Sequence, residues 1–177
     1  NHKYIIDVAK ILKDKANQKY HFVFCGTNLR NNDEIKHYRF IKSLISQKQL
    51  NDYITILNFL TDEEVITLYK KSNAVLMPTY CGPTNLPIYE SFYFKKIIFY
   101  TKNLIPNDDI NQRLIEIDIT SPEDLFNKLD ICFDINKIKK ITDDNFEFFQ
   151  SICDENNFKK NYKNIFDEFK YLLSRWK

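Results

Sequence analysis

Glycine is almost missing from this chain: among 177 residues, only Gly26 and Gly82 are glycine. No G-x-G-x-x-G occurs, which excludes the dinucleotide-binding fingerprint. Long apolar runs are missing too. None approaches the roughly eighteen consecutive apolar residues of a membrane-spanning helix. Net charge is scarce at +2, so bulk electrostatics gives no case for nucleic-acid or membrane binding. The four cysteines, Cys25, Cys81, Cys132 and Cys153, include no C-x-x-C pair, and His2, His21 and His37 do not cluster with them. Reduced thiols and no metal site are the expected reading. No internal repeat or low-complexity segment is visible. No secretory leader is read at Asn1-His2-Lys3, where a helix is expected to open directly, and the expected location is the cytoplasm. What is present is apolar content of 44% and aromatic content of 15%, enough for one folded domain with a sizeable core.

Taken in order, the apolar spacing predicts an amphipathic helix over 4–15, a strand over 21–26 and a polar loop from Thr27 to Asn32. A helix over 34–49, a turn at 50–52, a strand over 53–57 and a loop at Asn58-Phe59-Leu60 follow. Thr61 with Glu64 three residues on reads as a capping box for a helix ending at Lys71. Further on, 110–114 reads as a short helix and 115–119 as an edge strand. Ser121 is expected to cap a helix running from Pro122 to Phe133. The basic segment 136–141 reads as a solvated face, 143–153 as a helix. Phe158, Tyr162, Ile165, Phe166, Phe169, Leu172 and Leu173 line the last long helix. Strands alternating with helices predict an α/β domain: a Rossmann-like, doubly wound parallel sheet followed by C-terminal helices.

The chain is organised around 73–101. Ala74-Val75-Leu76-Met77 is an apolar run of the kind covered on both faces of a sheet. A loop from Thr79 to Asn85 follows, then a helix over 86–95 and a second strand at Ile97-Ile98-Phe99-Tyr100. Both glycines fall just after an apolar strand. In parallel α/β sheets that is where loops enter helices and ligands bind, and glycine allows positive φ or close backbone approach there. Two plain tight turns account for the same pattern.

The segment Pro78-Thr79-Tyr80-Cys81-Gly82-Pro83-Thr84-Asn85-Leu86-Pro87-Ile88-Tyr89-Glu90 resembles the donor-site signature P-S-x-x-E-G-F-G-L-P-x-x-E-A of family-4 glycosyltransferases, which have the GT-B fold. Glu90 matches the second glutamate of that family's E-x7-E motif. The first falls at Gly82 and is absent. The resemblance extends over about 1–125, and Asn1-His2-Lys3 is similar to the end of a K-N-H-K element that joins the family's first strand to its first helix. It implies the C-terminal, donor-binding half of a GT-B enzyme, with its first strand and an N-terminal acceptor domain upstream of Asn1. The expectation for the sheet is then a gap, a rearrangement or a foreign strand between 21–26 and 74–78.

The implied activity is retaining, metal-independent transfer, without a cofactor, of a sugar from a nucleotide-diphosphate sugar to a glycan or lipid-linked acceptor. Membrane contact would be peripheral, through the missing domain. The implied donor-binding residues are Gly26, Thr27, Asn58, Phe59, Leu60, Gly82, Pro83, Thr84, Asn85, Leu86 and Glu90; no catalytic residue is assigned. The helix start near Leu86 offers free N–H groups to a diphosphate. Thr84 and Asn85 bind the phosphates or only cap that helix. Glu90 can accept two hydrogen bonds from a ribose diol, or be a solvated helix carboxylate. Asn58, Phe59 and Leu60 lie where the family holds the base, and Gly26 and Thr27 form the facing wall. Two other readings remain: a non-catalytic GT-B-like nucleotide-binding or scaffold module, which the missing glutamate favours, and an unrelated doubly wound switch domain, for which no acidic cluster is found.

Overall fold

The computed structural model describes residues 1–15, 20–27, 31–81, 86–105 and 107–175. Two parallel ladders carry the fold among these residues. β1 (Phe22–Thr27) pairs with β2 (Ile54–Asn58), Phe22 opposite Ile54 and Phe24 opposite Ile56. β3 (Ala74–Met77) pairs with β4 (Ile97–Thr101), which pairs with β5 (Ile115–Ile117). All the expected strands form and all pair in parallel, but β1 and β3 are not joined. α1 (His2–Asp14) precedes β1, and α2 (Asn32–Gln47), α3 (Asp62–Lys71) and α4 (Leu86–Tyr93) run between successive strands, the helical crossovers that parallel strands require.

Apolar alternation explains how the layers stack. Successive strand residues face opposite sides of a sheet. In β4, Ile97 and Phe99 face one apolar cluster and Ile98 and Tyr100 the other, so the strand is buried on both faces. The first cluster joins both ladders: Ile6, Val8 and Leu12 of α1 meet Phe22 and Phe24 of β1, Ile54 of β2 and Ile117 of β5. The second joins Ile88 and Phe92 of α4 to Ile105 and to Ile110 of α5 (Asp108–Asn111). The covering is uneven. Val23 and Cys25, on the far face of β1, are exposed, α3 has no buried side chain, and β3 is only half-buried. This departs from the expectation that 74–77 is covered on both faces, since one edge of β3 carries no ladder partner among the described residues.

Local polar chemistry sets most helix starts. The Asn31 side chain accepts from the Asp33 and Glu34 amides, and Thr61 and Glu64 form both halves of the expected capping box. Ser121 does not cap α6 (Pro122–Lys128) through its side chain; its hydroxyl lies 3.3 Å from Glu123, and the Asp124 carboxylate reaches back to accept from the Asp118 amide instead. α6 passes into a 3-10 turn over Leu129–Phe133 rather than continuing as one helix. The short α5 begins two residues earlier than the spacing implied, because Asn107 caps it. α7 (Ile135–Ile152) swallows the basic segment 136–141, its start fixed by Asp134 accepting from the Lys137 amide. The last helix, α8 (Glu155–Ser174), forms as expected, but its apolar line is not a core face: every described side chain on it is exposed, Phe166 and Phe169 included.

Burial sets the first expected outcome. Ile6 is fully buried between helix and sheet whereas Ile135 is 78% exposed. Ile6→Ala should lower the unfolding free energy by about 2–5 kcal/mol through lost transfer and a residual cavity, and Ile135→Ala by no more than about 0.5 kcal/mol, both read by urea denaturation.

Candidate functional site

The carboxyl ends of β1 and β2 come together at a bulge. Phe24 pairs with Ile56, yet Thr27 pairs with Asn58. One more residue is therefore spent on β1 than on β2 across this interval, the signature of a β-bulge. Gly26 takes up the irregularity at φ +95°, and a β-carbon placed there meets nothing within 4 Å. The glycine is thus required by backbone conformation, not by crowding. Its consequence is to bring three expected site residues, Gly26, Thr27 and Asn58, into one corner. Asn58 belongs to the strand rather than to the loop after it, and Phe59, 62% exposed, follows it at the rim with half-buried Leu60.

The second part of the site follows β3. Pro78 is buried and ends the strand. Thr79 then folds the chain over: its hydroxyl donates to the Cys81 carbonyl at 2.5 Å and lies 3.3 Å from the Cys81 amide, while the Thr101 hydroxyl at the end of β4 donates to the Thr79 carbonyl at 2.7 Å. Gly82, Pro83, Thr84 and Asn85 lie outside the described residues.

α4 resumes at Leu86, with Pro87 at its second residue, where a missing N–H costs nothing. Its buried side chains are Ile88, Ser91 and Phe92, three and four residues apart and therefore on one helix face. Ser91 has no exposed surface and satisfies its hydroxyl on the Pro87 carbonyl at 2.6 Å. With that face committed to the core, Leu86 and Glu90 must point outward, and both are exposed. α4 ends at Tyr93, short of the expected Lys95. Lys95 sits past the helix end at φ +52° and pairs with Asp143 of α7 at 2.7 Å.

Glu90 is not a free surface carboxylate. The Tyr69 hydroxyl of α3 donates to its Oε2 at 2.6 Å. Desolvation, then the Glu90 hydrogen bond and charge, hold the Tyr69 phenol well above its ordinary range, and Cys25 adds a further push. Tyr69 thus bridges α3 to the outer face of α4. Cys25 itself keeps solvent contact, yet desolvation raises its thiol, so it stays protonated at neutral pH. Tyr69 was not among the residues that the sequence pointed to as a site. No local signal in the sequence marks it, since its partner Glu90 lies 21 residues away on another helix.

A concavity of about 820 Å³ lies elsewhere, lined by residues that include Asn111, Ile115, Asp130 and Lys137. It opens at the amino end of β5, away from the carboxyl ends of β1 and β2 that hold Gly26 and Asn58.

With this geometry in hand, the comparisons with known proteins decide the family. The profile of the family described as glycosyl transferases group 1 matches residues 1–144. The chain belongs to that family. A glycosyltransferase from Rickettsia africae superposes with a TM-score of 0.69 at 22% identity, over 93% of this chain and 44% of its own length. A sucrose-phosphate synthase from Thermosynechococcus elongatus gives 0.69 at 14% identity, over 95% and 42%. The C-terminal domain of a group 1 family glycosyl transferase from Francisella tularensis gives 0.64 at 17% identity, over 85% and 77%. No curated protein matches the chain. This glycosyltransferase domain therefore spans less than half the length of the first two solved structures, and shares with them the α/β fold of GT-B enzymes.

Gly26 yields the second expected outcome. Gly26→Ala meets no steric obstacle, so its cost should be backbone strain alone, about 1–2 kcal/mol. Gly26→Asn should cost less, because asparagine tolerates positive φ better. Chemical denaturation of both variants checks the order.

Proposed function

We propose that this chain is the donor-binding domain of a retaining, metal-independent glycosyltransferase of family-4 type. Its donor is a nucleotide-diphosphate sugar, and its acceptor is a glycan or lipid-linked chain held by a domain that precedes Asn1, in a cytoplasmic enzyme of polysaccharide synthesis. The observation that carries the reading is Glu90: an outward carboxylate one turn into α4, in a Leu-Pro-x-x-Glu setting on the helix that links two parallel strands.

Each donor group then has a counterpart. The start of α4 offers its backbone N–H groups to the diphosphate, aided by Thr84 and Asn85. The two carboxylate oxygens of Glu90 accept from the vicinal ribose hydroxyls. Asn58, Phe59 and Leu60 border the base, and Gly26 and Thr27 the wall opposite. The sugar ring is held without a carboxylate at Gly82. The edges of β1 and β3 that carry no ladder partner among the described residues are joined, in this reading, by a parallel strand contributed from before Asn1.

A second reading, a nucleotide-binding or scaffold module without transfer, is favoured by one observation: Gly82 stands where the family pattern has a glutamate.

Calorimetric titration of the complete protein with nucleotide diphosphates and their sugars separates the two. Glu90→Ala should weaken donor binding by roughly ten- to a hundredfold, the equivalent of about 1.5–3 kcal/mol for hydrogen bonds to a charged acceptor, with an unchanged unfolding midpoint. Lys36→Ala, exposed on α2, should bind as the parent does. Unchanged affinity in Glu90→Ala removes the ribose assignment, and a parent protein that binds no nucleotide supports the scaffold reading.

A further inference from the structure

A glutamate on an exposed helix face samples several rotamers, and ordering it on a ligand costs side-chain entropy. Glu90 sits on such a face, yet two contacts fix its partner. The Tyr69 hydroxyl donates to Oε2 at 2.6 Å. The Tyr69 ring stacks on Phe94, just past the end of α4, with centroids 5.1 Å apart and planes 15° apart. Tyr69 comes from α3, so two elements converge on one carboxylate. The phenol is held above its ordinary range by desolvation and by Glu90, so it remains a proton donor throughout neutral pH. A phenol takes one lone pair of Oε2 and leaves Oε1 and the second lone pair of Oε2 open side by side.

Resting on the donor reading above, we propose that Tyr69 is the positioning residue for Glu90: it presets the carboxylate as a two-pronged acceptor, and so gives the site its preference for a ribose diol over a 2′-deoxyribose. Ordering is then completed on folding rather than on binding, the physical content of preorganisation. Tyr69 touches no donor atom in this account. Loss of its hydroxyl leaves the stacking on Phe94 in place while freeing Glu90 to rotate.

The test is titration of the complete protein with uridine, adenosine and guanosine diphosphates, followed by the 2′-deoxy form of whichever binds. Tyr69→Phe should weaken the ribonucleotide by about three- to tenfold, the worth of a preorganising hydrogen bond to a charged group. The 2′-deoxy form should weaken less, so the ribo-to-deoxy ratio falls. The unfolding midpoint should stay put. In a Glu90→Ala background the same change should have no further effect, since there is no carboxylate left to orient. A Tyr69→Phe protein with parental affinity and parental ribo-to-deoxy ratio, in a protein where Glu90→Ala does weaken binding, overturns the positioning role and leaves the donor site standing. If Glu90→Ala itself changes nothing, the donor reading falls, and this proposal with it.

Discussion

Burial of β4 on both faces is the constraint on which the other features rest. Ile97 and Phe99 bind the strand to the cluster beneath α1, and Ile98 and Tyr100 bind it to the cluster beneath α4. A strand so enclosed cannot shift register by one residue without exchanging its two apolar sets. Its position fixes Thr101, whose hydroxyl holds the turn at Thr79. It also fixes the seat for Ile88 and Phe92, and once these are seated Glu90 has only the outer face left. The candidate site is thus a by-product of core packing: the polar residue is aimed by its apolar neighbours.

Much of this was readable from the sequence, for identifiable reasons. The four strands from β1 to β4 are short apolar runs punctuated by Gly, Pro or Asn, and each forms within a residue or two of its expected bounds. The capping box at Thr61 is a local device that depends on nothing distant, and it is present in full. Gly26 was expected at a strand end because glycine was so rare, and it does hold positive φ there. Other features were not legible, because they turn on which of several nearby polar groups takes a contact or on elements distant in the chain. Ser121 makes no side-chain cap, its hydroxyl lying by Glu123 while Asp124 accepts from the Asp118 amide. α7 starts early because Asp134 caps it, which hides a solvated basic stretch inside a helix. Tyr69 resembles any interior aromatic residue until α3 and α4 are seen side by side. The helix-period apolar line of α8 predicted the helix correctly, but periodicity does not say what covers a face.

The division between β1 and β3 gives these observations a common explanation within the proposed function. A parallel sheet is ordinarily covered on both faces, yet here Val23 and Cys25 are exposed and β3 is half-buried. β1 and β3 each also have an edge without a ladder partner among the described residues. A parallel strand inserted there would complete one sheet, bring the bulge at Gly26 into line with the turn at Thr79, and set Glu90 and Tyr69 at its rim. The donor site and the sheet gap are in this account two aspects of one incomplete layer.

Amide chemical-shift mapping of the complete, isotope-labelled protein during titration with a nucleoside diphosphate tests the central claim most directly. The account predicts that the largest shifts fall at Gly26, Thr27, Asn58, Phe59, Leu86 and Glu90, residues far apart in sequence that share one end of the sheet. Shifts confined to the concavity at the other end of β5, at Asn111, Ile115, Asp130 and Lys137, would contradict it.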